Sequence, residues 1–172
     1  MNRRHTLKLS LIAALGLALL PGSTLAQQKS LKEQVVGAWT LVSAETTNKD
    51  GSKFHSFGPN PKGMVIFEPN GRYVQALMAA TLPKFASGNR MKGTAEENQA
   101  VVQGSIAYYG TWTVDEANKT MIQHAEANTW AMHAGTDYKR PISTLTGDSL
   151  VFTNPGSSAG GGSTVLTFKR VK

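Results

Sequence analysis

Through most of the chain, apolar and polar residues alternate with a period of two, in short runs broken by Gly, Asn, Asp and Pro. That period puts successive side chains on opposite faces of a β-strand. It predicts strands over residues 38–47, 53–57, 64–68, 72–79, 105–114, 120–129, 137–146, 149–153 and 163–171. Asn70-Gly71 supplies the positive φ of a tight hairpin between the third and fourth of these, and Asp50-Gly51 marks an earlier turn. Helical signals are few. Ser30 and Glu33, then Thr94 and Glu97, have the spacing of capping boxes, predicting a short helix up to Val36 and a second one ending near Gln103. The second falls in the longest non-strand stretch, 80–104, where Leu82, Pro83, Phe85 and Met91, with Met78 just ahead of them, sit beside Gly88 and Gly93. Such a segment serves either as a hinged lid or as a static plug.

Eight or nine short strands with hairpin-length connections, and no βαβ alternation, give an all-β fold. A sheet of this length in one small domain closes into an antiparallel barrel to remove its edges, and a barrel of eight strands can hold a small ligand. A two-sheet sandwich fits the same strand spacing, so that alternative stays open.

The first residues follow a different pattern. A basic start at Asn2-Arg3-Arg4-His5, an apolar run from Leu9 to Leu20 and a small-residue site at Thr24-Leu25-Ala26 predict a secretion signal over residues 1–26. An apolar run of that length, about 18 Å as a helix, is too short to cross about 30 Å of hydrocarbon. Arg3-Arg4-His5-Thr6-Leu7-Lys8 resembles the twin-arginine export pattern with Thr6 in place of its usual Phe, and ordinary Sec export uses the same basic start. Either route makes residues 27–172 a periplasmic or secreted domain without stable membrane insertion. Removal of the signal also lowers the formal charge of +7 to about +4, because Arg3, Arg4 and Lys8 leave with it. What remains is scattered and has no stripe of the kind that binds nucleic acid. With no cysteine in the chain, disulfides, thiolate metal sites and Cys nucleophiles are excluded.

Candidate chemistry is sparse. His124, Glu126 and Asn128 share one strand face, with Met121, Gln123, Ala125 and Ala127 on the other. If the polar face lines a cavity, His124 and Glu126 are an acid/base pair or orient a ligand's polar head; otherwise that face meets water and the apolar set packs inward. Tyr108 and Trp112 share a face with Ile106, Gly110 and Val114 and form either plain core or one wall of a ligand pocket, with Trp130 beyond the next strand. Arg72 and Arg140 are candidates for holding an anionic head group. Gly156-Ser157-Ser158-Ala159-Gly160 spells the G-x-S-x-G of hydrolases, but a strand follows it where a helix is required, so it reads as a loop. Three histidines scattered through residues 27–172 predict no metal site, and no cofactor motif occurs.

One series of segments is more specific than any single residue. Gly37-Ala38-Trp39-Thr40-Leu41-Val42-Ser43 carries a Gly-x-Trp opening, followed by Phe57-Gly58-Pro59-Asn60-Pro61-Lys62-Gly63 and Pro69-Asn70-Gly71-Arg72. Then come Phe85-Ala86-Ser87, Thr94-Ala95-Glu96-Glu97, Ile106-Ala107-Tyr108-Tyr109-Gly110-Thr111 and His124-Ala125-Glu126. Together these resemble the bacterial and fungal lipocalin-like domain family, across nearly the whole of 27–172. The segment from Thr129 to Gly135 departs from the Pro-and-Trp loop expected there. The resemblance implies a calycin-type barrel with a central cavity, and a late basic residue, Arg170 or Lys169, packed across Trp39. It fixes no activity. The expected function is non-covalent binding of a small hydrophobic or amphipathic molecule, with residues Tyr108, Trp112, His124, Glu126, Trp130, Arg72 and Arg140 as candidates. The alternative is a cyclase or isomerase acting on a hydrophobic substrate in the barrel through His124 and Glu126. Export makes a first prediction: intact-mass measurement of the protein secreted from a bacterial host gives an N-terminus at Gln27 or a near neighbour, and retention of Met1 contradicts it.

Overall fold

A computed structural model describes residues 29–172. The expected signal at 1–26 lies outside them. Ser30 opens the first helix, α1 (Leu31–Val35), with the reciprocal cap its sequence predicts: the Ser30 hydroxyl accepts from Glu33 N, and the Glu33 carboxylate accepts from Ser30 N. Glu116 accepts from the N–H groups of Leu31 and Lys32 at 2.9 and 3.0 Å, satisfying further donors of the first turn from a distant part of the chain.

Nine strands follow: β1 (Gly37–Thr47), β2 (Lys53–His55), β3 (Lys62–Phe67), β4 (Arg72–Met78), β5 (Ser105–Asp115), β6 (Thr120–Asn128), β7 (Thr136–Leu145), β8 (Ser149–Asn154) and β9 (Ser163–Arg170). The second helix, α2 (Ala95–Gly104), runs directly into β5 and has its own reciprocal cap between Thr94 and Glu97. Strands β3 to β9 pair antiparallel in chain order, β1 pairs with β3, and β1 also pairs with β9 along nearly its whole length. That last seam closes eight strands into a barrel and excludes the sandwich. β2 is an additional strand lying against the far half of β1.

Three register shifts interrupt the ladders, on β1, between β5 and β6, and between β7 and β8, and the first two bear on the residues discussed below. A bulge between Leu41 and Ser43 changes the parity of β1, so Trp39 and Leu41, then Ala44 and Thr46, are buried. A second bulge between β5 and β6 leaves Glu126 without a partner across the ladder. There the His124 carbonyl comes so close to Gly110 that a Cβ would sit 1.8 Å from it. A side chain at 110 is incompatible with the bulge.

One end of the barrel is sealed. Trp39 is fully buried and its Nε1 donates to Val35 O at 2.8 Å, tying α1 to the first strand. The guanidinium of Arg170 lies 3.9 Å from the centre of the Trp39 ring, while Nη1 and Nη2 donate to Val36 O and Gln34 O at 2.9 and 2.7 Å. Arg170, not Lys169, is thus the basic residue across the tryptophan. Gly37 makes room for it: φ is +126° and an added Cβ would meet Arg170 Nη1 at 2.8 Å. Beneath this clamp Phe67, Trp112, Leu150 and Phe168 fill the interior. The β1–β2, β4–β5, β6–β7 and β8–β9 connections all lie at the opposite end.

Arg170→Ala removes charge-assisted hydrogen bonds to helix-end carbonyls together with the stacking contact, and should lower unfolding free energy by about 2–4 kcal/mol. Urea denaturation measures this. A midpoint equal to wild type would contradict the clamp's role.

Candidate functional site

The strand alternation that fills the sealed end with aromatics brings polar side chains inward at mid-height. On β4, Tyr73, Gln75 and Leu77 are buried; on β5, Tyr108; on β6, Gln123; on β7, Arg140 at 2 % exposure. Arg140 Nε donates to Gln123 Oε1 at 3.2 Å and its Nη2 donates to the Tyr108 hydroxyl at 3.3 Å. Gln75 Nε2 donates to the same hydroxyl at 2.6 Å. The guanidinium also lies 4.5 Å from the ring centre of Tyr138 and 5.9 Å from that of Phe152. Among the described residues no carboxylate pairs with it. Four buried polar atoms have no hydrogen-bond partner among the described residues: Tyr73 Oη, Gln75 Oε1, Gln123 Nε2 and Arg140 Nη1.

Burial pushes the phenols of Tyr73, Tyr108 and Tyr138 above the usual tyrosine range, with Arg140 pulling each part of the way back. All three are therefore neutral near pH 7 and act as hydroxyls.

Toward the open end, Tyr108, Tyr138 and Arg140 line an inner cavity of about 50 Å³, together with Leu77, Leu166 and His133. A larger cavity of about 740 Å³ opens at the mouth, mostly apolar, walled by Phe54, Phe57, Val101, Val102 and Trp130. The two share Ser56, Phe57, Ile106, Trp130 and Ser158 as lining residues. Trp130 stacks on His133 with ring centres 4.0 Å apart, and His133 Nδ1 lies 2.8 Å from the Tyr138 hydroxyl. α2 has no buried residue, and Val101, Val102 and Gln103 form one side of the mouth cavity.

Of the seven residues singled out in the sequence, the structure brings Tyr108, Trp130 and Arg140 to the cavities. The other four lie elsewhere. Trp112 is buried at the sealed end, its ring 5.0 Å from Phe67 and its Nε1 donating to Glu68 O at 3.1 Å, so it belongs to the core and not to the pocket. His124 and Glu126 are on the outer face, because Gln123 and Ala125 take the inward positions of β6. They are not an acid/base pair. His124 Nδ1 meets Asp137 at 2.7 Å, and Glu126 takes a bidentate contact from Arg72, with Arg72 Nη2 donating at 2.8 Å. Arg72 therefore faces outward at the sealed half of the barrel, and its hydrogen bonds hold the Glu126 carboxyl below the usual glutamate range. Ser157 and Ser158 sit in the β8–β9 loop, ahead of a strand as expected.

Tyr73, Gln75, Gln123, His133 and Tyr138 were not singled out. The signal for two of them is present in the alternation, where Gln75 stands between Tyr73 and Leu77, and Gln123 between Met121 and Ala125, at positions otherwise apolar. Among the described residues no three His, Asp or Glu side chains converge as a metal site would require.

A lipocalin-like protein from Bacteroides uniformis of known crystal structure aligns over 80% of this chain and 99% of its own, at 10% identity and a TM-score of 0.45. A redesigned β-barrel aligns over 84% of this chain and 97% of its own, at 14% identity and a TM-score of 0.41. No curated protein matches the sequence. The lipocalin-like domain family matches residues 36–171, from the end of α1 to just past β9, and the chain belongs to that family.

Proposed function

We propose that this protein, exported after loss of residues 1–26 to the periplasm or the medium, binds one small amphipathic molecule non-covalently at the open end of its barrel. The observation that carries the reading is the mouth cavity of about 740 Å³, which is mostly apolar and shares five lining residues with an inner cavity ending on polar groups. That volume lies within the usual range for small-molecule sites, and apolar walls with a few convergent polar groups are their usual composition. The apolar body of the ligand lies against Phe57, Ile106 and Trp130, and its polar end points inward.

The neutral fluorophore N-phenyl-1-naphthylamine tests the apolar part. It should bind the 27–172 protein saturably with one site, and Trp130→Ala or Phe57→Ala should weaken binding about tenfold while leaving the circular dichroism unchanged. No saturable binding to the wild-type protein would contradict the reading.

A second reading, a cyclase or isomerase working on a substrate held in the same cavity, has one observation in its favour. The His133–Tyr138 contact at 2.8 Å places a titratable imidazole and a phenol together on the inner wall, a pair able to relay a proton. It also replaces His124 and Glu126, which face outward, as the candidate acid/base groups. Incubation of the protein with its bound molecule, followed by mass and chromatographic analysis, separates the two readings: an isomer formed over time by wild type, and not by His133→Gln, establishes the enzyme. Recovery of unaltered ligand from both establishes the binder.

A further inference from the structure

The interior carries a charge without its counterpart. A guanidinium stays protonated at any accessible pH, and burying it costs several kcal/mol unless charge and hydrogen bonds compensate. The rings of Tyr138 and Phe152 supply part of that through their π-faces, but a ring face does not satisfy the in-plane N–H groups. Arg140 is the only charged side chain among the buried described residues.

The hydrogen-bond balance around it is also one-sided. Gln123 Oε1 is used by Arg140 Nε, which fixes the orientation of that amide and leaves Nε2 as a free donor. The Tyr108 oxygen accepts from both Gln75 and Arg140, so its own proton is left to donate. Tyr73 Oη and Arg140 Nη1 are unpartnered as well. Against these donors stand only neutral acceptors, Gln75 Oε1 and the Tyr73 oxygen itself. Because burial keeps Tyr73, Tyr108 and Tyr138 in the neutral form, none of them supplies the missing negative charge. The cluster therefore lacks an anionic acceptor, and Arg140 and Tyr108, which hold two of the free donors, line the inner cavity.

We infer that Arg140, assisted by Tyr108, anchors the carboxylate of the bound molecule, which makes the ligand a small carboxylic acid with an apolar body. This rests on the proposed binding at the barrel's open end. A carboxylate brings two acceptor oxygens and one negative charge, which match one guanidinium. A phosphate monoester brings close to two charges near pH 7, and the second has no buried cation to meet it. The inner cavity of about 50 Å³ has room for a few water-sized groups, enough for a carboxylate and the first carbons behind it. The rest of the chain then extends past Ile106 toward Trp130 and the mouth. Gln123 and Gln75 do not line the cavity and serve as positioning residues, holding Arg140 and Tyr108 in place.

The test is competition against bound N-phenyl-1-naphthylamine at pH 7.5 with three ten-carbon probes: decanoate, 1-decanol and decyl phosphate. Wild-type protein should bind decanoate about tenfold or more tightly than decanol, and more tightly than decyl phosphate. Arg140→Met should bring decanoate to the level of decanol, with both affinities read against the variant's own fluorophore affinity, and Arg72→Met on the outer face should leave the preference intact. Should Arg140→Met not fold, the wild-type preference and the ¹⁵N shift of the Arg140 Nε–H on adding decanoate, absent with decanol, decide instead. Equal affinity for decanoate and decanol, a preference surviving in Arg140→Met, or tighter binding of decyl phosphate overturns the carboxylate anchor and leaves the binding barrel standing. Failure of all three probes and the fluorophore to bind overturns both.

Discussion

The pairing of β1 with β9, locked at its end by Arg170 across Trp39, is the constraint on which the rest of the molecule depends. Eight short strands laid flat would expose two edges of unpaired backbone, and this seam removes both. Closure turns a face of every strand inward, so the alternation along each strand becomes the composition of a single interior. The same clamp joins α1 to the first strand and stops one end with aromatic packing. All the long connections are left at the other end, and their residues shape the mouth.

Along its axis the interior changes character in three steps. Phe67, Trp112, Leu150 and Phe168 pack the sealed end. At mid-height Gln75, Tyr108, Gln123 and Arg140 form a polar belt with unspent donors. Above it the walls turn apolar again and open. A purely hydrophobic core would be the more stable filling for a barrel of this size, since a buried charge and unpartnered amides each cost free energy. Groups that reduce stability and also border a cavity are what a binding site leaves in a fold. This ordering, apolar outside and polar within, is the basis of the proposal that an amphipathic ligand enters head first.

Much of the fold was legible in the sequence. The nine strands fall within two residues of the predicted ranges, and both capping boxes form, because turn chemistry at Asn70-Gly71 and the Ser/Thr-to-Glu spacing are local signals. The choice of barrel over sandwich was not local, since it depends on β1 meeting β9 across more than a hundred residues of chain. The site was half legible for the same reason. Tyr108 and Arg140 stand at inward positions of their strands, where the alternation puts them, and line the inner cavity. His124 and Glu126 attracted attention through their chemistry, yet Gln123 and Ala125 take the inward side of β6. The sequence holds the clue in Met121, whose burial fixes the parity of that strand. Trp112 points inward but stands at the sealed end, and Arg72 lies on the outer face at that same end; the height of each along the axis comes only from the register of the closed sheet.

A crystal structure of the 27–172 protein with decanoate tests the head-inward placement of the ligand directly. The expected result is a single chain of density in the barrel, its carboxylate about 2.7–2.9 Å from an Arg140 nitrogen and its tail running past Ile106 to Trp130. A decanoate bound tail-inward with its carboxylate in solvent at the mouth, or seated on the outer face with the interior unoccupied, would contradict it.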